Sequence, residues 1–345
     1  MSHVNDPISR RRALALGGGL AGGLIAASSP LLASPLTAAA ASIHDHDGDS
    51  GGFSQATITQ MEAILQTTGM QQNGVLSFEL DRNDLQGYTV GSHILPNSVP
   101  YKPAWENNGT FYFQKLGDDR ADHDGGNGQA ILNGDFGGLL PQEIDPFIDQ
   151  LLTHGLVFQA LHQHFYDVQP NQLYYIHFRG VGDPLTLAQG VIAAVKTTGT
   201  PLPQSAPANP TTPLPTDQLA QILGGSASVG SDGVVTVDVP RRYQVILGGV
   251  PISPFLNIQS SISFEPLDSS GTTVAAAPDF SLIAAEIQNV VGVMRQQGWV
   301  IGCLYNQETD ERPQLYFSHQ LKVGDPIALA HEIRRGLDLT HSVSP

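Results

Sequence analysis

The chain contains an internal repeat, which limits its fold more than any other feature. Residues 172–195 read QLYYIHFRGVGDPLTLAQGVIAAV, and residues 314–337 read QLYFSHQLKVGDPIALAHEIRRGL, at a constant offset of 142. Ten of these 24 positions are identical. Because such self-similarity is typical of one folding unit copied in tandem, we expect two versions of the same unit.

The hydrophobic spacing predicts helices and strands in both copies. In the first copy, helical spacing covers residues 59–66, 141–154 and 184–196, and strand-like segments cover residues 74–80, 110–115 and 129–132. In the second copy, the corresponding helices are 217–223 and 280–296, and a strand covers 233–239. These patterns predict an α+β fold of two tandem repeats, each an antiparallel sheet with helices packed on one face.

A proline-rich stretch separates the two copies. Residues 200–215 contain six prolines, which favour a semi-extended linker. We therefore place repeat 1 at residues 54–199 and repeat 2 at residues 216–345. A chain of 345 residues is long enough for two domains of this size.

The N-terminus has the features of an export signal. Ser9-Arg10-Arg11-Arg12 resembles a twin-arginine motif, an apolar region follows, and Ala39-Ala40-Ala41 offers a cleavage site. We predict a signal peptide over residues 1–41 and a protein exported to the periplasm, cell envelope or medium. The alternative is an uncleaved anchor, although the weak hydrophobicity favours cleavage and no stable membrane span. Residues 42–53 form a His/Asp-rich segment that we predict to be a flexible tail.

The net charge and the cysteine content exclude several kinds of binding partner and metal site. The formal net charge of −16 argues against nucleic acid and anionic membranes, which both need a basic surface. The single cysteine, Cys303, leaves no partner for an intrachain disulfide and rules out a Cys-rich zinc site. Its apolar setting, VIGCLY, predicts a buried core residue.

Three histidines are the best candidates for chemistry. His162 and His164 are two apart, so on a strand they share a face. A hairpin turn centred between Gln169 and Pro170 would place His162 directly opposite His177, with Cβ atoms about 5 Å apart. This pattern predicts a metal site, with Zn first and Mn, Fe or Cu as alternatives. Buried structural histidines are the other interpretation.

A fourth ligand is less clearly defined. Glu143 lies in the first turn of the helix before the hairpin, where it could bind the metal or act as a catalytic base. Equally, it could pair with the helix N-terminus and need no metal. Asp135 is a further polar candidate, matched by Asp279 in repeat 2.

Repeat 2 keeps only part of this pattern. Aligning Leu161 with Leu304 puts Tyr305 and Gln307 at the positions of His162 and His164, and only His319 remains. We therefore expect a degenerate site in repeat 2. The repeated Val-Gly-Asp-Pro run before the last helix of each copy predicts an Asp cap with Pro in the first turn, and it lacks the Lys of a phosphate loop.

These residues resemble a bacterial family of unknown function that includes the mycobacterial lipoproteins LppY and LpqO. The resemblance lies in ALHQHFYDVQPNQLYYIHFRGVGDPLTLAQGVIAA, in Gly134-Asp135-Phe136 and in the helix with Glu143 and Pro146. The sequence departs from the family by Gln163, where Asn is usual, and by lacking a lipobox cysteine. The resemblance implies an envelope or secreted setting and no particular reaction.

Two functions follow as hypotheses. The first is an exported metalloprotein, with a cupin-like or hydrolase-like enzyme as one form of it. The second is a non-catalytic envelope module that binds a small molecule or an unidentified partner protein in the groove between the repeats.

Overall fold

The computed structural model describes residues 52–102, 107–117, 128–204 and 210–342. The predicted signal peptide and nearly all of the predicted tail lie outside these ranges, so the export signal stays a prediction. The predicted flexible tail extends one residue too far, because Phe53 is buried in the core of repeat 1, where it packs with Ile58 and Met61. Among the described residues, no helix has the length and apolar character needed to cross a membrane.

Repeat 1 alternates helices with short and long strands. Its elements are α1 (Gln55–Leu65), β1 (Gly69–Gln72), β2 (Val75–Asp81), β3 (Thr89–Val90), β4 (Val99–Pro100), β5 (Asn108–Leu116), β6 (Gln129–Leu139), α2 (Pro141–Thr153), β7 (Val157–His162), β8 (Val168–Gln169), β9 (Tyr174–Gly182) and α3 (Pro184–Val195).

Repeat 2 has the same element order. Its elements are α4 (Thr216–Leu223), β10 (Ser226–Val229), β11 (Val235–Val239), β12 (Val245–Leu247), β13 (Val250–Ile252), β14 (Ser260–Pro266), β15 (Val274–Leu282), α5 (Ala284–Gln296), β16 (Val300–Ile301), β17 (Glu311–Arg312), β18 (Tyr316–Gly324) and α6 (Pro326–Leu337).

The described residues of each repeat form one large antiparallel sheet and one small one, and the strand orders are equivalent. The large sheets run β1-β2-β5-β6-β9-β7 and β10-β11-β14-β15-β18-β16. The small sheets run β4-β3-β8 and β13-β12-β17. The predicted α+β fold of two tandem repeats is therefore confirmed.

Helices cover one face of each large sheet. In repeat 1, Met61 of α1, Phe147 of α2 and Val191 of α3 share a core with strand residues such as Leu76 and Phe113. Repeat 2 has an equivalent core built from α4, α5 and α6. The predicted caps are confirmed, since Asp183 accepts from Thr186 N and Asp325 accepts from Ala328 N.

The opposite face of each sheet packs against the other repeat. One core joins Phe165, Leu173 and Tyr175 of repeat 1 to Ala275 and Leu321 of repeat 2, among others. A second core joins Val75 and Ile131 to residues such as Val245, Leu247 and Phe317. The described residues of the two repeats consequently form one compact unit.

Two sequence-based assignments need correction. The helix predicted from residue 280 begins at Ala284, because Phe280 belongs to the fully buried strand β15, which ends at Leu282. The predicted hairpin register is also wrong. β8 leaves the hairpin to pair with β3, and His162 pairs with Tyr175 while Ala160 pairs with His177. A bulge between Phe158 and Ala160 then shifts the register of the first residues of β7.

Candidate functional site

A row of paired residues crosses the inter-repeat face of each large sheet. In repeat 1 the cross-strand partners are, in order, Glu79, Thr110, Asp135 and His177. In repeat 2 they are Asp238, Ser261, Asp279 and His319. The duplication has therefore copied one polar row, ending in an Asp–His pair, onto both walls of the repeat interface.

The ends of the two rows meet in what we call the His/Asp cluster: His162, His164, His177, His319, Asp135 and Asp279. The ring centroid of His162 lies 5.0 Å from that of His164 and 5.0 Å from that of His177. His164 stacks on His319 of repeat 2 at 3.6 Å. The register error of two residues keeps His162 and His177 on one face, so the predicted trio does assemble, and it is joined by a fourth imidazole from repeat 2.

Tyrosine rings hold the imidazoles in stacked pairs. His162 stacks on Tyr305 at a centroid distance of 3.5 Å, and His164 stacks on Tyr175 at 3.3 Å. Tyr305 pairs with Phe317, just as His162 pairs with Tyr175, so His162 and Tyr305 are structurally equivalent residues that meet across the interface. The close approach requires glycine at position 302, since a Cβ there would collide with the carbonyl oxygen of His164.

Several polar atoms of the cluster are buried without a hydrogen-bond partner. Both ring nitrogens of His162 and both of His177 are unpartnered, as are Oδ1 of Asp135 and Oδ1 of Asp279. His177 Nε2 lies 3.8 Å from Asp135 Oδ1, which is too long for a hydrogen bond. Buried polar groups are nearly always satisfied, so this concentration of unpartnered atoms calls for an explanation.

Burial pushes the cluster towards its uncharged state. Desolvation lowers the pKa of His177 to about 3 and raises the pKa of Asp135 to about 8. The pKa values of His162 and His319 are also held well below the ordinary range, chiefly by burial and then by neighbouring imidazoles. Burial and the nearby Asp135 raise the pKa of Asp279. Neutral imidazoles are the form that binds metal ions.

The imidazoles do not yet point at a common centre. Within the described part of the chain, no three His, Cys, Asp or Glu side chains are arranged to hold a metal ion as they stand. The reason is their stacking, since the rings of His162 and His177 are only 14° from parallel. The ring separations nevertheless suit a shared ion, because imidazoles bound to one Zn at about 2.1 Å have centroids about 5 Å apart.

Glu143 does not belong to this cluster, which corrects its assignment as a ligand or base. Its two carboxylate oxygens accept from the buried Arg82 at 3.0 and 3.2 Å, from Leu140 N and from Gly199 N. Repeat 2 has the same arrangement around Glu286, which bonds Arg241 and Ile283 N. The duplicated contacts show a structural role at the helix N-terminus.

Sequence reasoning missed Glu308, a buried carboxylate near the cluster. The alignment that pairs Leu161 with Leu304 also pairs the core residue Phe165 with Glu308. Glu308 is fully buried, neither of its carboxylate oxygens has a hydrogen-bond partner, and burial raises its pKa well above the usual range. The sequence signal that could have identified Glu308 is that an acid in repeat 2 replaces a core aromatic residue of repeat 1.

Cys303 also differs from its predicted core position. It is only partly buried, and its Sγ lies 3.1 Å from Nδ1 of His319. The thiol therefore belongs to the surroundings of the cluster rather than to the core.

A cleft of about 440 Å³ leads to the cluster from between the two sheets. Asp135, His164, Asp279 and His319 line it at the cluster, together with Tyr175 and Gln307. Its walls are the two polar rows and the neighbouring strand residues, such as Tyr112 and Ser263. The groove predicted between the repeats thus exists, and it reaches the histidines.

A family model described as Domain of Unknown Function (DUF1259) matches residues 59–197 and 217–339. The chain belongs to this family. It carries two tandem copies of the domain, whereas the specific resemblance to the LppY and LpqO lipoproteins stays a prediction. None of the curated proteins matches the chain. One solved structure with some similarity is a trimeric bacterial microcompartment shell protein, PduB, at 8% identity over 69% of this chain and 93% of that chain. Its TM-score of 0.19 is too low to support any argument about this protein.

Proposed function

We propose that this protein binds a divalent transition-metal ion at the His/Asp cluster. The observation that carries the proposal is the set of unpartnered buried nitrogens on His162 and His177. Structural histidines, the alternative, are expected to have hydrogen-bond partners for their ring nitrogens. Here both nitrogens of each ring have none, and a metal ion that accepts the lone pair of a neutral imidazole would supply one of the two missing partners of each ring.

The donor set suits an ion of the zinc type. Imidazole nitrogens favour Zn, Cu, Fe and Ni over Mg or Ca, and Asp135 and Asp279 add carboxylate oxygens. Binding would need side-chain rotation away from the stacked pairs, although the ring centroids of His162 and its two neighbours are already 5.0 Å apart, the separation expected for imidazoles that share one ion. The ion would sit where the cleft meets both repeats, and a bound metal at such a place can act as a Lewis acid on a ligand.

Metal analysis of the purified protein tests this proposal. The full chain, isolated without chelators from zinc-supplemented cells, is expected to contain about one metal ion per chain. The His162→Ala/His177→Ala variant is expected to contain less than about one tenth of that amount. The matched control is His154→Ala/His331→Ala, which removes two exposed histidines outside the cluster and should keep the wild-type content.

Two results would contradict metal binding. One is a wild-type protein that stays below about 0.1 ion per chain after supplementation. The other is equal metal content in the cluster variant and the control. Circular dichroism of both variants checks that a loss of metal does not reflect a loss of fold.

A further inference from the structure

The cleft has a second chemical feature besides the histidines, which is its set of carboxyl groups. Carboxyl groups are spread along its length, and among its described lining residues none is a lysine or arginine. The acidic side chains are Glu79, Asp81, Asp135, Asp238 and Asp279. An anionic ligand would find no lysine or arginine among these lining residues, whereas a cation would stabilise the ionised form of the buried carboxyl groups.

The unpartnered atoms along the cleft are mainly acceptors. Away from the proposed metal ligands, Oδ1 of Asp81 and Oε1 of Gln307 are acceptors without a hydrogen-bond partner, and Nδ2 of Asn257 is a donor without one. Gln307 is only 3% exposed, so water access to its amide oxygen is limited. A buried acceptor without a donor carries a desolvation cost that a ligand N–H could relieve.

The excess of unpartnered acceptors over unpartnered donors distinguishes between the candidate classes of ligand. A sugar hydroxyl both donates and accepts, so a saccharide would bring about as many acceptors as donors. An ammonium group has three donors and no acceptor. The cleft therefore fits an amine better than a neutral polyol, although both are hydrophilic.

The two polar rows suggest more than one positive charge. Glu79 and Asp238 are equivalent residues on opposite walls, and Asp81 adds a further carboxylate on the wall of repeat 1. Burial raises the pKa of Glu79 to about 7, and the neighbouring Asp81 contributes to that shift. Ammonium groups set along the cleft could pair with carboxylates of both walls.

We propose that the cleft between the two repeats binds a linear organic polyamine. Asp81 and Asp238 pair with its ammonium groups, Gln307 accepts a further N–H, and the chain lies along the cleft towards the His/Asp cluster. Asp81 and Asp238 are outside the proposed metal ligands, so their substitution tests this site separately.

Isothermal titration of the full chain with spermidine tests the proposal. We expect saturable binding that Asp81→Asn/Asp238→Asn weakens at least about tenfold and that added salt also weakens. Asp145→Asn/Asp149→Asn removes the same net charge from exposed positions of α2 and should bind like wild type. Maltotriose, citrate and Mg²⁺ serve as neutral, anionic and inorganic-cation probes, and we expect each to bind more weakly than spermidine.

Three outcomes would overturn the proposal. They are no detectable spermidine binding, equal affinity in Asp81→Asn/Asp238→Asn and wild type, and tighter binding of maltotriose or Mg²⁺ than of spermidine. Repeating the titration with His162→Ala/His177→Ala separates the two sites. Retained spermidine binding there supports an amine site that does not depend on the metal, and its loss in a folded variant would count against an independent site.

Discussion

Substitution of Glu143 by alanine should destabilise the protein without removing metal. Glu143 receives two bonds from the buried guanidinium of Arg82 and one each from Leu140 N and Gly199 N. Without the carboxylate, Asp84, at 2.8 Å, is the one charged partner that Arg82 keeps among the described residues, and two backbone amides lose their acceptor.

The loss of unfolding free energy is estimated from the removal of one partner of a buried ion pair. Such changes cost about 3–5 kcal/mol, because an uncompensated charge stays in the interior. The remaining bond to Asp84 favours the lower end of that range. The two repeats form one compact unit of roughly 300 residues, for which an unfolding entropy of about 2.1 cal/mol/K per residue gives about 1.6 °C of Tm per kcal/mol, so we expect a fall of roughly 5 °C.

Thermal unfolding followed by circular dichroism measures this effect, and metal analysis is done on the same samples. Glu286→Ala is the matched control, because Glu286 makes the equivalent contacts in repeat 2, and it should lower Tm by a similar amount. The reasoning would be refuted if Glu143→Ala left Tm unchanged while metal content fell, since Glu143 would then be a ligand.

Two further predictions concern other buried acids. Glu308→Phe restores the residue type of Phe165 and removes an unpartnered carboxylate, while Arg179 keeps its ion pair with Asp310. Urea unfolding of the metal-free protein should show that the free energy of unfolding rises by about 1–4 kcal/mol. An unchanged free energy of unfolding would contradict this account of Glu308. Glu265 is buried with Lys102 Nζ 3.4 Å away, and burial raises its pKa from 4.5 to about 8 despite that lysine. The stability contributed by its protonated form is complete below pH 4.5 and is lost as the pH rises through about 8. Unfolding across this range should therefore show Glu265→Gln equal to wild type at pH 4.5 and more stable at pH 8, whereas parallel curves would contradict it.

Local patterns predicted much of the fold. The helices beginning at Pro141, Pro184 and Pro326 have Pro in the first turn, and Asp caps precede the last two. These signals act over a few residues, so they can be recognised without tertiary information. The start of α5 was misplaced because Phe280 fits a buried strand as well as an apolar helix face, and only the neighbouring strands β14 and β18 decide between them.

The candidate site was predicted in part. The two-residue spacing of His162 and His164 and the strand position of His177 identified the histidines of repeat 1. The register could not be derived, because a bulge in β7 and the departure of β8 to a second sheet both depend on distant strands. Glu143 was misassigned because its true partner, Arg82, is 61 residues away in the chain.

The sequence by itself determined the duplication, the α+β class and the helix caps. The duplication is visible by comparing the chain with itself, and periodicity and capping depend on residues close together in the chain. Only the tertiary structure decided that the inter-repeat faces of the sheets pack together. That packing brings His319 and Asp279 of repeat 2 to His162, His177 and Asp135 of repeat 1, and it opens the acidic cleft. The physical reason is that each sheet has an apolar inter-repeat surface around its polar row, and burying that surface forces the two rows into one site.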